Sequence, residues 1–272
     1  MEHPAAERVA EGQGRLAGRA WGAVPWLAAT AVLFWIARHG AQSLDYHWQW
    51  YRVPGFLARV EDGRWVAGPL VRGLLVTFRI TAASLVLSLF LGIATALLRL
   101  SGSVAGRVLA RAYMELVRNT PLLIQIFFIY FVVARVFDIG RFWSAVWALS
   151  LFEGAYASEI FRAGIASIAR GQWEAAESLG LTAFQTYTRV ILPQAARRVL
   201  PPLTSQAVSL VKDSALVSTI AVYDLTMEAQ AVVSETFLAF EIWFTVAALY
   251  LAVTVPLSSA AHVLEARLKV RT

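Results

Sequence analysis

The stretch GLLVTFRITAASLVLSLFLGIATALL, residues 73–98, decides the class of fold. It is an almost uninterrupted apolar run in which Arg79 is the one charged side chain. About 20 consecutive apolar residues in a helix span the ~30 Å hydrocarbon core of a bilayer, so this stretch predicts a transmembrane helix. The composition agrees, since 58% of the 272 residues are hydrophobic and 15% are charged. Soluble domains are about 45–50% apolar and about 25% charged. The sequence therefore predicts an all-α, polytopic membrane protein.

Five further apolar stretches bring the predicted number of transmembrane helices to about six. They cover approximately residues 20–37, 121–137, 143–166, 203–222 and 242–264. The first follows Arg15 and Arg19, as the apolar part of a signal peptide would, but it is long and no small-residue cleavage site follows it at once. We therefore interpret it as an uncleaved spanning helix.

Arginine and lysine are distributed unevenly among the connections between these spans. Segments 1–19, 99–120 and 167–202 and the tail after the sixth span contain several, whereas 223–241 has acidic residues and neither arginine nor lysine. Positively charged connections stay in the cytoplasm, so both termini are predicted to be cytoplasmic. Segment 38–72, with its arginines on the outer side, is the exception. The same rule accounts for the net charge of +6 without a nucleic-acid partner.

A polar stretch, GQWEAAESLGLTAFQTYTRVILPQAARR at residues 171–198, interrupts the apolar sequence. Gly180 suits the left-handed position that ends a helix, and Thr182 with Gln185 reads as a capping box that starts the next one. Pro193 and the pair Pro201-Pro202 are expected to limit that second helix. Residues at spacings of three and four predict one apolar face: Trp173, Ala176, Gly180, Phe184, Tyr187 and Ile191.

These features predict two short helices joined at a glycine corner on the cytoplasmic surface. On the residues alone, the pair could be an amphipathic anchor in the lipid headgroups or a rigid lever for a soluble partner. Both interpretations stay open at this point.

The same stretch resembles the EAA loop of permeases from ATP-binding-cassette (ABC) importers. The residues that match the motif are Glu174, Ala175, Ala176, Gly180, Leu192 and Pro193, while Val190 departs from the usual isoleucine. Two other stretches, ELVRNTPLLIQIFFIYF at 115–131 and GAYASEIFRAGIASIARGQWEAA at 154–176, are similar to segments of permeases for polar amino acids. The chain is thus identified as a member of the polar amino-acid uptake family, which includes histidine, glutamine and arginine permeases.

The resemblance implies an organisation and a set of partners. Residues 1–69 would be a cytoplasmic tail, an extra helix and a periplasmic loop, and 70–272 a five-helix permease domain with its coupling loop at about 169–200. The protein would work in the bacterial inner membrane with two ATPase subunits, a second permease copy or paralogue, and a periplasmic solute-binding protein. ATP and Mg would belong to the ATPase. This chain is expected to bind no cofactor and to be no enzyme itself, because neither lysine, Lys212 nor Lys269, lies in a Walker A motif.

Charged residues inside the spans are candidate substrate contacts, because burying a charge in a bilayer is costly. Glu153 in the fourth span would favour a cationic amino acid. Lys212 and Asp213 in the fifth span could receive the carboxylate and the ammonium of an amino acid, or form structural ion pairs. Glu159 has Arg162 three residues later, which favours a local ion pair.

The Arg118-Asn119-Thr120-Pro121 segment is a family marker with a local explanation. Thr120 suits a helix N-cap and Pro121 the first helical position, and Arg118 is expected at the cytoplasmic headgroups. A self-sufficient secondary transporter is the alternative function, although the two halves show no convincing internal repeat. An intramembrane enzyme is a third possibility, but the sequence has no histidine-based metal motif or convincing Ser/His/Asp arrangement.

Overall fold

The computed structural model describes residues 46–268, together with residues 28, 30–32, 35 and 39, which are helical. The chain divides into two compact units, Met1–Gln49 and Trp50–Thr272. Most of the span predicted at 20–37 lies outside the described residues, as do Arg8, Arg15, Arg19, Lys269 and Arg271. The predicted division at residues 69 and 70 stays a prediction.

The second unit consists almost entirely of helices. In chain order its regular elements are α1 Val53–Leu57, β1 Ala58–Glu61, β2 Arg64–Ala67, α2 Pro69–Leu100, α3 Val104–Arg118, α4 Leu122–Phe128, α5 Ala134–Phe137, α6 Arg141–Ala166, α7 Arg170–Ser178, α8 Ala183–Gln185, α9 Leu192–Asp213, α10 Leu225–Thr236 and α11 Ala239–Leu268. Tighter or wider helical turns join some of them: 3₁₀ at Trp50–Arg52 and Ser214–Ile220, and π at Ile129–Val133 and Thr186–Ile191.

Two helices among the described residues, α2 and α11, are each long and apolar enough to cross a membrane. Two more spans result if bent pairs are counted as single crossings: α3 with α4–α5, bent by 108°, and the α8–α9 segment with α10, bent by 50°. Helix α6 has 26 residues, also enough to cross, but carries four charged side chains. The predicted polytopic helical fold is confirmed, while length and composition support fewer separate spans in this region than were predicted.

Small residues form the contact between α2 and α6. Ser84, Ser88 and Gly92 of the buried face of α2 lie along this contact, whereas Gly73 and Thr77 at the start of α2 face Asp224 and Leu225. A Cβ atom on Gly92 would lie 2.7 Å from Cβ of Ala157, and one on Gly154 would lie 2.9 Å from Cβ of Leu91. Such stripes let helix backbones approach closely where the surrounding lipid is as apolar as the side chains. The two helices therefore form the rigid centre of the fold.

The corner between α3 and α4 differs from its prediction. Thr120 does not cap α4: its hydroxyl donates to the carbonyl of Leu116 at 2.8 Å and so completes the end of α3. Pro121 is itself the N-cap residue, with an extended backbone, and α4 begins one residue later. Gln125 holds the corner, because its amide donates to the carbonyls of Val117 at 2.7 Å and Thr120 at 2.9 Å. These carbonyls lack helical partners, which explains why the corner carries a glutamine.

The expected effect of Pro201 and Pro202 is also wrong. Both lie inside α9, so the second helix of the polar stretch is not short but runs on to Asp213. The hydroxyl of Thr204 donates to the carbonyls of Leu200 at 3.0 Å and Pro201 at 2.7 Å. Serine and threonine hydroxyls commonly satisfy backbone groups near proline in membrane helices. After Asp213 the helix tightens to 3₁₀ geometry.

A small β-hairpin precedes the first long helix. Strands β1 and β2 are antiparallel, with Glu61 opposite Arg64. Asp62 and Gly63 form the turn with φ of 50° and 73°. Two positive φ values in a two-residue loop are typical of a type I′ turn, which favours Asp-Gly. The segment predicted as a periplasmic loop therefore contains a hairpin, and its Asp-Gly turn is the local signal for it.

Candidate functional site

The polar stretch folds into a bent hairpin, hereafter the coupling hairpin. Its first arm is α7, its corner is the turn at Gly180, and its second arm is α8 with the π-helical turn Thr186–Ile191 and the start of α9. Gly180 has φ of 71°. Its amide donates to the carbonyl of Glu177 at 2.9 Å, and the amide of Leu181 donates to that of Ala176 at 3.1 Å. This pair of bonds is the Schellman arrangement that ends helices at glycine. The predicted left-handed corner is therefore present.

The predicted capping box is also present at the start of α8. The amide of Gln185 donates to the hydroxyl of Thr182 at 3.3 Å, and the side-chain carbonyl of Gln185 accepts from the amide of Thr182 at 3.0 Å. Each bond satisfies a backbone donor that the first helical turn leaves free. The change of direction at the corner is thus fixed from both sides.

Side chains between the two arms stiffen the coupling hairpin. Ala176 is buried, with 2% exposure, and Ile191 is fully buried. The rings of Trp173 and Tyr187 meet edge to face with centroids 5.3 Å apart. Gln194 donates through its side-chain amide to Gln172 at 3.0 Å. The two arms therefore move as one body.

A second set of contacts attaches the coupling hairpin to the transmembrane helices. The guanidinium of Arg198 in α9 donates to the carbonyl and hydroxyl of Ser167, directly after α6. Gly164 allows the close approach, because a Cβ there would lie 2.2 Å from a methyl group of Val199. These contacts join the end of α6 to α9 directly beside the coupling hairpin.

The tip of the coupling hairpin exposes large apolar side chains. Leu179 and Phe184, on either side of Gly180, are 79% and 77% exposed. Phe184 was predicted on the inner face, but the glycine corner breaks the helical periodicity from which that prediction came. Glu174 lies nearby and accepts a hydrogen bond from Arg170 at 2.9 Å on the open surface.

The motif residues divide between this surface and the interior of the coupling hairpin. Glu174, Ala175 and Gly180 are exposed, whereas Ala176 is buried. Leu192, with 45% exposure, and Pro193 lie at the start of α9, beyond the π-helical turn. The structure therefore exposes Glu174 and Ala175 along α7 and Gly180 at the corner, and places Leu192 and Pro193 on the second arm.

A buried polar group lies between α6 and α9, well inside the bundle. Glu153 is 4% exposed and accepts a hydrogen bond from the amide of Gln206 at 2.9 Å. Asp213 lies within electrostatic range of Glu153. Gln206 and Asp213 are seven residues apart and so share one face of α9. Sequence reasoning found both carboxylates but missed Gln206, because nothing local marks its partner on another helix.

Lys212 does not join this group. It lines a cavity of about 220 Å³ between α9 and α11, together with Ser209, Ser258, His262 and Glu265. Neighbouring residues point to different faces of the helix, so the structure does not bring Lys212 and Asp213 into one cavity. Their contact with an amino acid stays a prediction.

Glu159 forms the predicted ion pair with Arg162, and the structure adds two partners from other helices. Both Nε and Nη2 of Arg162 donate to one carboxylate oxygen. Arg99, at the end of α2, donates to the other oxygen at 2.5 Å. Arg118 lies 4.0 Å from that oxygen and stacks over the ring of Tyr156 at 5.7 Å. Glu159 thus joins the ends of α2, α3 and α6.

Comparison with known proteins places this geometry in a family. Residues 88–270 match the family described as binding-protein-dependent transport system inner membrane component. The glutamine transport system permease GlnP of Escherichia coli K12 is 37% identical over 210 residues, which cover 76% of this chain and 96% of that protein. The L-cystine transport system permease TcyB of Bacillus subtilis is 40% identical over 198 residues, or 72% of this chain and 85% of that one.

Solved structures show the same fold. The crystal structure of an amino acid ABC transporter with histidines is 35% identical, with a TM-score of 0.69 over 73% of this chain and 94% of that chain. The MetNI methionine ABC transporter in an inward-facing conformation has a TM-score of 0.61 at 21% identity, over 74% of this chain and 96% of that chain. The second likeness bears on the fold alone.

Proposed function

The chain belongs to the family of binding-protein-dependent transport system inner membrane components, and we propose from this membership that its cargo is a polar amino acid. It is a transmembrane permease subunit of an ABC importer rather than a self-sufficient secondary transporter. Relatives named for glutamine and cystine transport support a polar amino acid as cargo.

The coupling hairpin is the element that receives the energy of ATP in this proposal. Two separate ATPase subunits bind ATP and Mg, and each holds the exposed tip of a coupling hairpin in a cleft. A second permease subunit, identical or paralogous, completes the path, and a periplasmic binding protein delivers the amino acid. Both termini and the coupling hairpin face the cytoplasm. Closure of the ATPase pair moves the coupling hairpins, and the braced contacts at Ser167 and Arg198 carry the movement into α6 and α9.

One observation supports this role above the lipid-anchor interpretation. An interfacial anchor buries a continuous apolar face along its length. The coupling hairpin instead has its two most exposed apolar side chains at the tip, Leu179 and Phe184, and the preceding helix α7 exposes the charged residues Glu174 and Glu177. A small apolar centre with a charged rim is typical of a protein interface.

The carboxylates between α6 and α9 supply a contact for the cargo. In this proposal Asp213 faces the ammonium group that every amino acid carries, and Glu153, held by Gln206, faces a cationic side chain where the cargo has one. Two carboxylates favour a neutral or cationic amino acid over an acidic one. The group lies on the two helices that the coupling hairpin moves, so a change at the hairpin reaches the cargo contact.

Reconstitution tests the assignment. The permease is placed in liposomes with its ATPase subunit and binding protein, and uptake of labelled glutamine, arginine and glutamate is measured with and without ATP. We expect uptake of a polar, non-acidic amino acid that requires both ATP and the ATPase. Uptake by the permease without the ATPase would contradict the proposal. So would the absence of uptake of all three amino acids while the ATPase hydrolyses ATP.

A further inference from the structure

A row of arginines crosses one face of α3, beside the ends of α2 and α6. Arg107, Arg111 and Arg118 are separated by four and seven residues, which places them within about 40° of one another around the helix axis. Together with Arg99 and Arg162 they line a cavity of about 260 Å³. Since water occupies about 30 Å³ per molecule, the cavity has room for a group the size of several waters.

Positive charge exceeds negative charge in this cavity. Glu115 lines it and Glu159 binds Arg99 and Arg162, so five guanidinium groups meet two carboxylates. Arg107 donates to the carbonyl of Ser101 at 2.9 Å, and Arg111 makes no hydrogen bond or ion pair to any described residue. Guanidinium groups match the oxygens of a phosphate in paired hydrogen bonds. The cavity therefore fits a phosphate-bearing anion.

An apolar groove adjoins the basic cavity at the same corner. The groove has a volume of about 430 Å³, and its lining includes Leu116, Val117, Ile124, Phe128 and Leu151. Leu116 and Val117 lie in α3 between Glu115 and Arg118, which line the basic cavity. Leu116 is also 70% exposed. Cavities for a phosphate and for a hydrocarbon chain thus border the same turn of helix.

We propose that the corner of α3 and α4 binds one anionic phospholipid, with its phosphate in the arginine cavity and an acyl chain in the groove. Basic pockets between membrane helices on the cytoplasmic side are known to receive such headgroups. A free phosphate would use the cavity and leave the groove empty. A second copy of the chain would cover the groove and leave the uncompensated arginines without an anion.

Native mass spectrometry of the intact transporter tests this site. The complex is purified from nanodiscs of equal parts phosphatidylglycerol and phosphatidylcholine, and the retained lipids are counted. We expect phosphatidylglycerol to be retained in preference. The double variant Arg107→Gln, Arg111→Gln should retain it about thirtyfold more weakly, because each arginine near an anionic surface contributes about fivefold. Arg135→Gln, another exposed arginine in α5, is the matched control and should have no effect.

Two further variants distinguish the possible occupants of the groove. Ile124→Trp fills the groove and should displace the lipid, but it should leave the binding of inorganic phosphate in phosphatidylcholine nanodiscs unchanged. The chain has no cysteine, so Ile124→Cys reports contact with a second copy by disulfide cross-linking. The proposal would be overturned if both lipids were retained equally, or if the double variant retained as much phosphatidylglycerol as the control. It would also be overturned by an unchanged lipid signal in Ile124→Trp or by efficient cross-linking through Ile124→Cys.

Discussion

At the scale of single residues, the buried carboxylate Glu153 is the sharpest prediction. Its substitution Glu153→Gln keeps the shape and the hydrogen-bonding contact with Gln206 while removing the charge. We expect uptake of arginine or lysine to fall by tenfold or more relative to glutamine. The cationic side chain of arginine or lysine loses a buried counter-charge, whereas the α-ammonium group that all amino acids share still has Asp213 as its partner. Competition between labelled substrates in liposomes measures this ratio.

The control for this prediction is Glu159→Gln, which also removes a carboxylate from α6. Glu159 joins arginines at the end of the helix, so its loss should lower stability and leave the ratio of arginine to glutamine uptake unchanged. An unchanged ratio in Glu153→Gln, with transport otherwise normal, would show that this carboxylate does not select the cargo.

Single residues also show where sequence reasoning succeeds. Gly180 and Thr182 were predicted correctly because corners and caps depend on neighbouring residues. Phe184 was placed on the wrong face because a helical period cannot be extended across a glycine corner. Gln125 and Gln206 were missed because their partners lie in other turns or helices, and one sequence contains no record of such contacts.

At the scale of elements, the contact between α2 and α6 makes a test of packing possible. Gly92→Val adds bulk where even a Cβ atom would lie 2.7 Å from Ala157, so the helices must separate. We expect a loss of about 1–3 kcal/mol in stability, the usual cost of overpacking. Thermal unfolding of the purified protein in detergent measures it as a lowered Tm.

Gly102→Val is the matched control, because a Cβ atom on Gly102, between α2 and α3, meets nothing within 4 Å. The control should unfold within a degree or two of the native protein. If the native protein and Gly92→Val had the same Tm, the two helices would not be closely packed at this crossing.

Elements also show the limits of local signals. The spans at 73–98 and 242–264 were predicted to within a few residues of α2 and α11, because a long apolar run has few alternatives in a membrane. Pro201 and Pro202 predict the end of a helix, yet α9 continues through them to Asp213, and the hydroxyl of Thr204 bonds the carbonyls of Leu200 and Pro201 there. The Asp62-Gly63 turn is a local signal that does predict a hairpin, because both of its residues readily adopt positive φ.

At the scale of the whole molecule, the fold separates the surface that we propose for the ATPase from the carboxylates that we propose for the cargo. The coupling hairpin exposes Leu179 and Phe184 at its tip, and α6 and α9 hold Glu153, Gln206 and Asp213 between them. Contacts of Arg198 with Ser167 join the two regions. The sequence predicted the two regions separately, and the structure supplies the connection.

The central claim is that the tip of the coupling hairpin holds the ATPase subunit. Co-purification of the ATPase with the tagged permease tests it most directly, with Leu179→Glu and Phe184→Glu compared with Trp65→Glu. Trp65 lies in β2, is 79% exposed and so matches Leu179 in exposure. We predict that the two tip variants reach the membrane normally but retain less than a tenth of the ATPase, while Trp65→Glu retains all of it. Full retention of the ATPase by both tip variants would contradict the account.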